Sequence, residues 1–224
     1  MRQTIRNPSG VYRGISVGLN ISEFAPVGCD DLPPPDTVLE GIRERYRADT
    51  ASNFVLDLRT EVDVHALWDL LGRGDHDPRT ALLLVSDIVR NLYTAPEVTF
   101  TDDGCTEDRV PDDSVWEVVM GPDGASVAEA CEMTGVDRFA VCRTFPTVYG
   151  RTPHALRKHH RMLTAASMIL LGERNMGTVA RDVGYGSESK FADSFRREFG
   201  CRPKHFLREY LAGNGPVTPS PSAP

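Results

Sequence analysis

The fold of the C-terminal half is decided by residues 183–200, which read VGYGSESKFADSFRREFG. Gly184 can adopt the left-handed backbone conformation of a tight turn at no steric cost. After this turn, aromatic side chains recur at every fourth position, the spacing of one face of an α-helix. They are Phe191, Phe195 and Phe199. The stretch therefore predicts a turn at Gly184-Tyr185 and a helix from about Ser187 to Phe199.

The same helix-turn-helix pattern occurs a second time, further upstream. Ser126 and Glu129 have the spacing of a capping box, in which each side chain satisfies a backbone amide at a helix start. Gly135 is suited to end this helix, and Asp137 is suited to cap the next one. The upstream copy thus predicts two helices joined by a short turn.

Sequence shared between the copies supports a duplicated unit. The segments YGRTPHALR, at 149–157, and FGCRPKHFLR, at 199–208, lie 50 residues apart. Cys131 and Ala180 are small residues at the points where the paired helices should cross. A helical pattern from Pro153 to Leu171-Gly172 joins the copies, and its length of roughly 28 Å is close to the roughly 34 Å between successive major grooves of B-DNA.

Residues 126–210 resemble the tandem helix-turn-helix DNA-binding domain of the AraC/XylS family of bacterial transcription regulators. The resemblance is carried by residues 183–200 and by Pro203 with its aromatic residue three positions later. It implies a mainly α C-terminal domain over 110–212, in which two helix-turn-helix units are joined by a long helix. Each unit would present one recognition helix to double-stranded DNA.

The resemblance also implies which side chains face DNA. Those placed toward base edges are Phe139, Cys142 and Arg143 in the first recognition helix, and Glu188, Ser189, Ala192 and Asp193 in the second. Those that either contact phosphates or are plain surface are Arg157, Lys158, Arg161, Arg196, Arg197 and Lys204. A guanidinium can bridge O6 and N7 of guanine, so Arg143 is the leading specificity residue, with a phosphate contact as its alternative.

Two residues depart from the family pattern. Pro146 stands inside the first recognition helix, where the family usually carries a basic residue, and proline removes the amide that would bond the Cys142 carbonyl. We expect this helix to kink or stop near Phe145. In the second unit, Glu188 brings negative charge to the DNA face. It either favours the helix N-terminus or accepts a hydrogen bond from cytosine N4.

Charge is divided unevenly along the chain. Residues 126–212 hold fourteen Lys or Arg against nine Asp or Glu, a net of +5, whereas the remainder holds eleven against 23, a net of −12. The basic part suits a polyanion such as DNA. The acidic part suits a protein partner or a regulatory role.

Residues 1–109 are predicted to form a regulatory, partner-binding domain of small α/β or mainly helical type. Alternating or short apolar segments favour strands at 15–21, 53–58 and 97–101, and longer periodic segments favour helices at 36–47, 62–71 and 79–93. These strands are too few for the many-stranded barrel of small-molecule sensors in the family. An apolar set is expected in the core rather than in a ligand cage: Trp68, Leu70, Leu71, Leu82, Leu83, Leu84, Val85, Ile88 and Val89. A helix face for self-association is the alternative.

Composition predicts neither a metal nor another cofactor. The five cysteines are unclustered and have no matching histidine pairs. Their odd number fits a reducing cytoplasm, and His154, His159 and His160 are expected at the surface near DNA. We expect no signal peptide and no membrane contact, because no apolar run of eighteen residues occurs. The proline-rich residues 213–224 are predicted to be a disordered tail.

These patterns predict a sequence-specific transcription regulator, foremost an activator that works with RNA polymerase, and no catalytic residues. The resemblance leaves its control open. One mode is a protein coactivator such as a secretion chaperone, or a homodimer formed through the N-terminal domain; the other is a small-molecule effector. A rival from another class is a DNA-repair alkyltransferase fused to the same kind of DNA-binding domain. That enzyme needs an activated acceptor thiol, and neither Cys29 nor Cys105 lies in a supporting motif.

Overall fold

The structure, a computed structural model, describes residues 6–7, 10–11, 32–45, 53–73, 77–95, 99–101, 126–149 and 151–213. The chain divides into two compact units. One comprises Met1–Leu56 and Thr60–Thr101, and the other comprises Asp57–Arg59 and Asp102–Pro224. The strand expected at 15–21 and the tail expected after Gly213 lie outside the described residues.

The N-terminal unit combines three described helices with two small antiparallel sheets. The helices are α1 (Pro35–Arg45), α2 (Leu58–Gly72) and α3 (Pro78–Thr94). The strands are β1 (Arg6–Asn7) paired with β2 (Gly10–Val11), and β3 (Asn53–Val55) paired with β4 (Thr99–Thr101). In the second pair, Phe54 stands opposite Phe100.

Helices α1 and α3 pack through an apolar cluster. Its members are Val38 and Val89 at the centre, with Leu32, Ile42, Val85 and Tyr93 around them. A polar contact links α2 to α3, because the side-chain amide of Asn91 donates to the buried carboxylate of Asp63 at 3.1 Å. Such a bond offsets part of the cost of removing the carboxylate from water.

Two expectations for this unit are wrong in part. The strand predicted at 53–58 ends at Val55, and the helix predicted at 62–71 already begins at Leu58. Of the predicted core residues, Leu70, Leu84 and Val89 are buried, but Trp68, Leu82 and Leu83 are 49%, 39% and 49% exposed. The reason is geometric: successive residues on a helix point in different directions, so a run of leucines cannot all face one core.

In the C-terminal unit, the first helix-turn-helix consists of α4 (Val127–Thr134) and α5 (Arg138–Tyr149). The predicted capping box is confirmed: the Glu129 amide donates to Ser126 Oγ at 3.2 Å, and the Ser126 amide donates to the Glu129 carboxylate at 2.6 Å. The Asp137 carboxylate caps α5 by accepting from two amides of its first turn, at 3.3 and 2.9 Å. Local sequence therefore determines where both helices begin.

Of the two outcomes expected near Phe145, a stop is wrong, because helix α5 continues past Pro146 to Tyr149, and a kink stays a prediction. The proline removes one backbone hydrogen bond. Packing offsets this loss, since Val141 and Phe145 are buried against Ala130 and Cys131 of α4. Pro146 itself is exposed.

The second helix-turn-helix follows helix α6 (Pro153–Leu170) and consists of α7 (Met176–Asp182) and α8 (Glu188–Phe199). Side-chain oxygens of Asn175 and Ser187 cap the two helices by accepting from their first-turn amides. Gly184 forms the turn with φ of 79°. The predicted turn and helix are thus confirmed.

An aromatic cluster fastens α8 to a following helix, α9 (Pro203–Leu211). Its buried members are Phe191, Phe195 and Phe199 of α8, and Phe206 and Tyr210 of α9. The centroids of neighbouring rings lie 4.5–5.7 Å apart. Aromatic pairs at this spacing contribute about 0.5–1.5 kcal/mol each beyond the area they bury.

One long helix, α6 (Pro153–Leu170), joins the two helix-turn-helix units within the C-terminal unit, as predicted. The Thr152 hydroxyl caps it by accepting from the Ala155 amide at 3.3 Å. Its 18 residues span about 27 Å. It packs against α5, α7, α8 and α9. The predicted fold class, a mainly α C-terminal half beside a small α/β or mainly helical N-terminal part, is confirmed.

The two turn glycines form a matched pair for a stability test. Gly135 and Gly184 have nearly equal φ values, 73° and 79°, in which any side chain costs about 1–2 kcal/mol. A Cβ on Gly135 would meet nothing within 4 Å, whereas one on Gly184 would lie 3.2 Å from Arg161 Nη2. We expect Gly184→Ala to lower the free energy of unfolding more than Gly135→Ala, as measured by urea denaturation. In an Arg161→Ala background the difference should disappear; equal costs in the native background would contradict this contact.

Candidate nucleic-acid interface

The first recognition helix, α5, has one face in the core and one in solvent. Phe139, Cys142 and Arg143 are exposed, and Phe139 is 78% exposed, an unusual state for a large aromatic side chain. They stand three and four residues apart, so they share one side of the helix. Val141 and Phe145 occupy the buried side. The structure therefore brings together the three side chains that the sequence placed toward base edges.

The second recognition helix, α8, is divided in the same way. Glu188, Ser189 and Asp193 are exposed, and Ala192 is half-buried among them. The three phenylalanines of α8 occupy the opposite, buried side. A face with two carboxylates is unusual for DNA contact, since phosphates repel negative charge.

One of these carboxylates has a cationic neighbour. Glu188 Oε1 lies 3.3 Å from Lys204 Nζ at the start of α9, and both side chains are largely exposed. An exposed pair of this kind contributes about 0–1 kcal/mol to stability, so its main effect is local charge neutralisation. A small cavity of about 80 Å³ beside the pair is lined by Met176, Glu188, Ala192, Arg202, Pro203 and Lys204. It is far smaller than the roughly 300–1,000 Å³ of a typical small-molecule site.

The six basic residues expected near phosphates fall into two groups. Arg196, Arg197 and Lys204 are exposed, whereas Arg157, Lys158 and Arg161 on α6 are half-buried. Burial lowers the pKa of the Arg157 guanidinium, and the nearby Arg161 adds to the effect. Arg161 packs its guanidinium against the Gly184 turn. Arg157 and Arg161 therefore have contacts within the fold that the sequence did not indicate.

The sequence also did not predict a polar cluster between α6 and α8, in which His159 is buried. His159 was expected at the surface, but it is buried, and its Nδ1 donates to Glu198 Oε1 of α8 at 2.6 Å. Arg151 Nη1 lies 3.8 Å from the same oxygen. The hydrogen bond from His159 is the main cause that lowers the pKa of Glu198, against the opposing effect of burial; charge on His159, Arg151 and Lys158 lowers it further. A histidine in a basic segment resembles a surface residue, so only the packing of α6 against α8 reveals this contact.

Candidate metal ligands and candidate membrane spans were sought among the described residues. These residues contain no cluster of three His, Cys, Asp or Glu side chains suited to a metal ion. None of their helices is both long and apolar enough to cross a bilayer. Three cysteines are described as free thiols, and burial raises the pKa of Cys131 and Cys201, which makes them poorer nucleophiles.

Comparison with known proteins places this arrangement in a family. A family model described as a helix-turn-helix domain matches residues 130–209. The "Virulence regulon transcriptional activator VirF" of Yersinia enterocolitica is 37% identical over 71 residues, which are 32% of this chain and 26% of the relative. The "HTH-type transcriptional regulator ExsA" of Pseudomonas aeruginosa is 37% identical over 59 residues, 26% of this chain and 21% of the relative.

For one shorter relative, the matched segment covers most of the relative's own length. The "Regulatory protein SoxS" of Salmonella typhimurium is 33% identical over 73 residues, 33% of this chain and 68% of the relative. The chain belongs to the AraC/XylS family. The resemblance inferred from the sequence is thereby confirmed.

The match concerns the family's helix-turn-helix part. The chain spans only about a quarter, 26%, of the length of the first relatives named. No solved structure matches the chain significantly. The AraC/XylS assignment therefore rests on the C-terminal unit.

The polar cluster predicts how stability depends on pH. Because the folded state lowers the pKa of Glu198, its carboxylate stabilises the fold above the unfolded value near pH 4. This contribution should be lost as pH falls through the lower, folded pKa. We expect Glu198→Gln to lower the free energy of unfolding by about 2 kcal/mol at neutral pH. In urea denaturation over a series of pH values, the free energy of unfolding of this variant should fall less steeply at acid pH than that of the wild type. Glu132→Gln, an exposed control on α4, should keep the wild-type pH dependence, and a wild-type dependence in Glu198→Gln would contradict a stabilising role of the Glu198 carboxylate.

Proposed function

We propose that this chain is a sequence-specific regulator of transcription that binds double-stranded DNA and activates by working with RNA polymerase in the cytoplasm. The observation that carries the proposal is the pair of exposed helix faces, on α5 and α8, joined by one 18-residue helix. Its span of about 27 Å approaches the roughly 34 Å between successive major grooves. Relatives named as transcription regulators and activators support the same function.

Charge supports the proposed partner. The segment 126–212 carries a net charge of +5 within a chain of net charge −7. Arg143 on α5 and Arg196 and Arg197 on α8 are exposed on the helices that would meet DNA. In this proposal Phe139, Cys142 and Arg143 read bases in one groove. Ser189, Ala192 and Asp193 face the other groove. Glu188 also faces it and forms an ion pair with Lys204.

For control of this activity we propose a protein partner rather than a small molecule. The support lies in the N-terminal unit, where Trp68, Leu82 and Leu83 expose apolar surface that a partner could cover. The strongly acidic composition outside 126–212 favours a basic partner surface. A secretion chaperone acting as coactivator, or a second copy of the chain, would fit. We propose no catalytic role, because the relatives matched are named as regulators.

A small-molecule effector stays the alternative, and one experiment separates the two. Trp68→Ser with Leu83→Ser should abolish protein-dependent activation in a reporter strain while DNA affinity in vitro stays unchanged. The matched control is Met133→Ser, an exposed apolar residue of α4 outside the N-terminal unit. Full activation by the double variant would argue for a small-molecule effector.

DNA binding by the full chain should depend strongly on salt. Each phosphate contact releases counterions, so log affinity should fall by about 0.9 per contact for each log unit of salt. We expect Arg197→Ala to reduce this slope by about one contact's worth. Arg208→Ala is the control, because its guanidinium already pairs with Glu209 at 2.8 Å and should leave the slope unchanged. Affinity that does not respond to salt would exclude a phosphate-binding surface.

Arg143 should determine base preference rather than general affinity. We expect Arg143→Ala to lose about 1–3 kcal/mol on the preferred site and to relax discrimination at one or two base pairs. Arg197→Ala should weaken specific and scrambled duplexes alike. Fluorescence anisotropy with both duplexes makes the comparison. If Arg143→Ala lowers both affinities equally, Arg143 is a phosphate contact.

A further inference from the structure

A single carboxylate lies at the junction between the two helix-turn-helix units. Glu198, in the last turn of α8, receives a hydrogen bond from His159 Nδ1 at 2.6 Å and has Arg151 Nη1 at 3.8 Å. The side chains of Glu198, His159 and Arg151 are only 17%, 5% and 23% exposed. Water and salt therefore screen this cluster far less than they screen a surface pair.

The three side chains come from different parts of the C-terminal unit. Arg151 stands between the end of α5 and the start of α6. His159 lies in the second turn of α6, and Glu198 belongs to the second recognition helix. The cluster thus ties α8 to the segment that directly follows the first recognition helix.

Apolar contacts contribute to this geometry, since the face of α6 buried beyond His159 includes Met162, Leu163, Ala165, Ala166 and Ile169. Apolar contact is non-directional, however, and the two alanines present little side chain to resist rotation of a neighbouring helix. A hydrogen bond has a preferred distance and angle, and a charge-assisted one is stronger and shorter than a neutral one. The Glu198 contacts are therefore suited to fix the angle of α8 about α6.

We infer that Glu198 is a positioning residue that sets the orientation of the second recognition helix relative to the first, and thereby the half-site spacing that the protein accepts. This inference rests on the proposed DNA-binding function. One added base pair moves a half-site by about 3.4 Å along DNA and rotates it by roughly 35°. A protein whose two recognition helices are held at one angle must give up contacts in one groove when the spacing changes.

The inference differs from a purely stabilising role in what it predicts. If Glu198 only stabilises the fold, its loss should weaken binding to every duplex by a similar factor. If it sets the angle, its loss should weaken binding to the optimal spacing and spare the altered spacings. The shape of the affinity profile across spacings therefore distinguishes the two roles.

The experiment uses the full chain and a preferred duplex selected from a random pool. Spacer variants with one base pair removed, one added and two added are compared with the parent by fluorescence anisotropy. The wild-type protein should lose about tenfold or more at each altered spacing, the effect of one lost base contact. Glu198→Ala should vary by less than about threefold across the series, with salt slope unchanged. Glu198→Gln retains an acceptor for His159 and should recover most of the wild-type profile.

Controls make each outcome decisive. Glu132→Ala removes one exposed carboxylate from α4 and should keep the wild-type profile. Circular dichroism at the assay temperature checks that each variant is folded. If Glu198→Ala is unfolded, Arg151→Ala replaces it in the experiment, because it removes the outer member of the cluster. Its affinity should depend on spacing less than that of the wild type but more than is expected for Glu198→Ala. A wild-type profile in folded Glu198→Ala, or a uniform loss at all spacings, overturns the inference alone. Failure of the wild-type chain to bind any duplex overturns the proposed function and the inference with it.

Discussion

Burial of one face of α6 is the constraint on which the C-terminal unit depends. Helices α5, α7, α8 and α9 pack against it, and α4 packs against α5. Most of the stability of a helix in a protein comes from packing of its apolar face rather than from intrinsic propensity, so the order of α6 depends on these contacts. Both α5 and α8 make contacts with this one helix. A lost contact on α6 therefore affects both recognition helices.

Most of the C-terminal fold could be predicted because its rules are local. The capping box at Ser126, the cap at Asp137 and the turn at Gly184 involve residues no more than five positions apart. Such interactions join residues that are close in sequence, so they can be predicted from the order of residues. The fourfold spacing of phenylalanines in α8 likewise identifies its buried face without reference to any partner.

The features that the sequence did not predict depend on contacts between residues that are far apart in sequence. His159 and Glu198 stand 39 residues apart, and nothing near either residue indicates that they meet. Helix α5 does not stop near Phe145, because burial of this side chain against α4 outweighs one missing hydrogen bond at Pro146. Trp68 was assigned to the core by its chemistry, but its position on α2 leaves it half exposed. For the recognition faces, sequence could place the side chains on one side of each helix but not identify which bases they meet.

Buried and exposed positions alternate along α5, and the two classes of position differ in how well they tolerate substitution. Val141 is 2% exposed and Phe139 is 78% exposed, although they are two residues apart. Substitutions at well-exposed positions usually change stability by less than about 0.5 kcal/mol, whereas truncating a buried apolar residue costs several times more. Evolution can therefore exchange the residues at 139, 142 and 143 without first acquiring a compensating change in the core. A duplicated scaffold of this kind can diverge in target while its architecture persists.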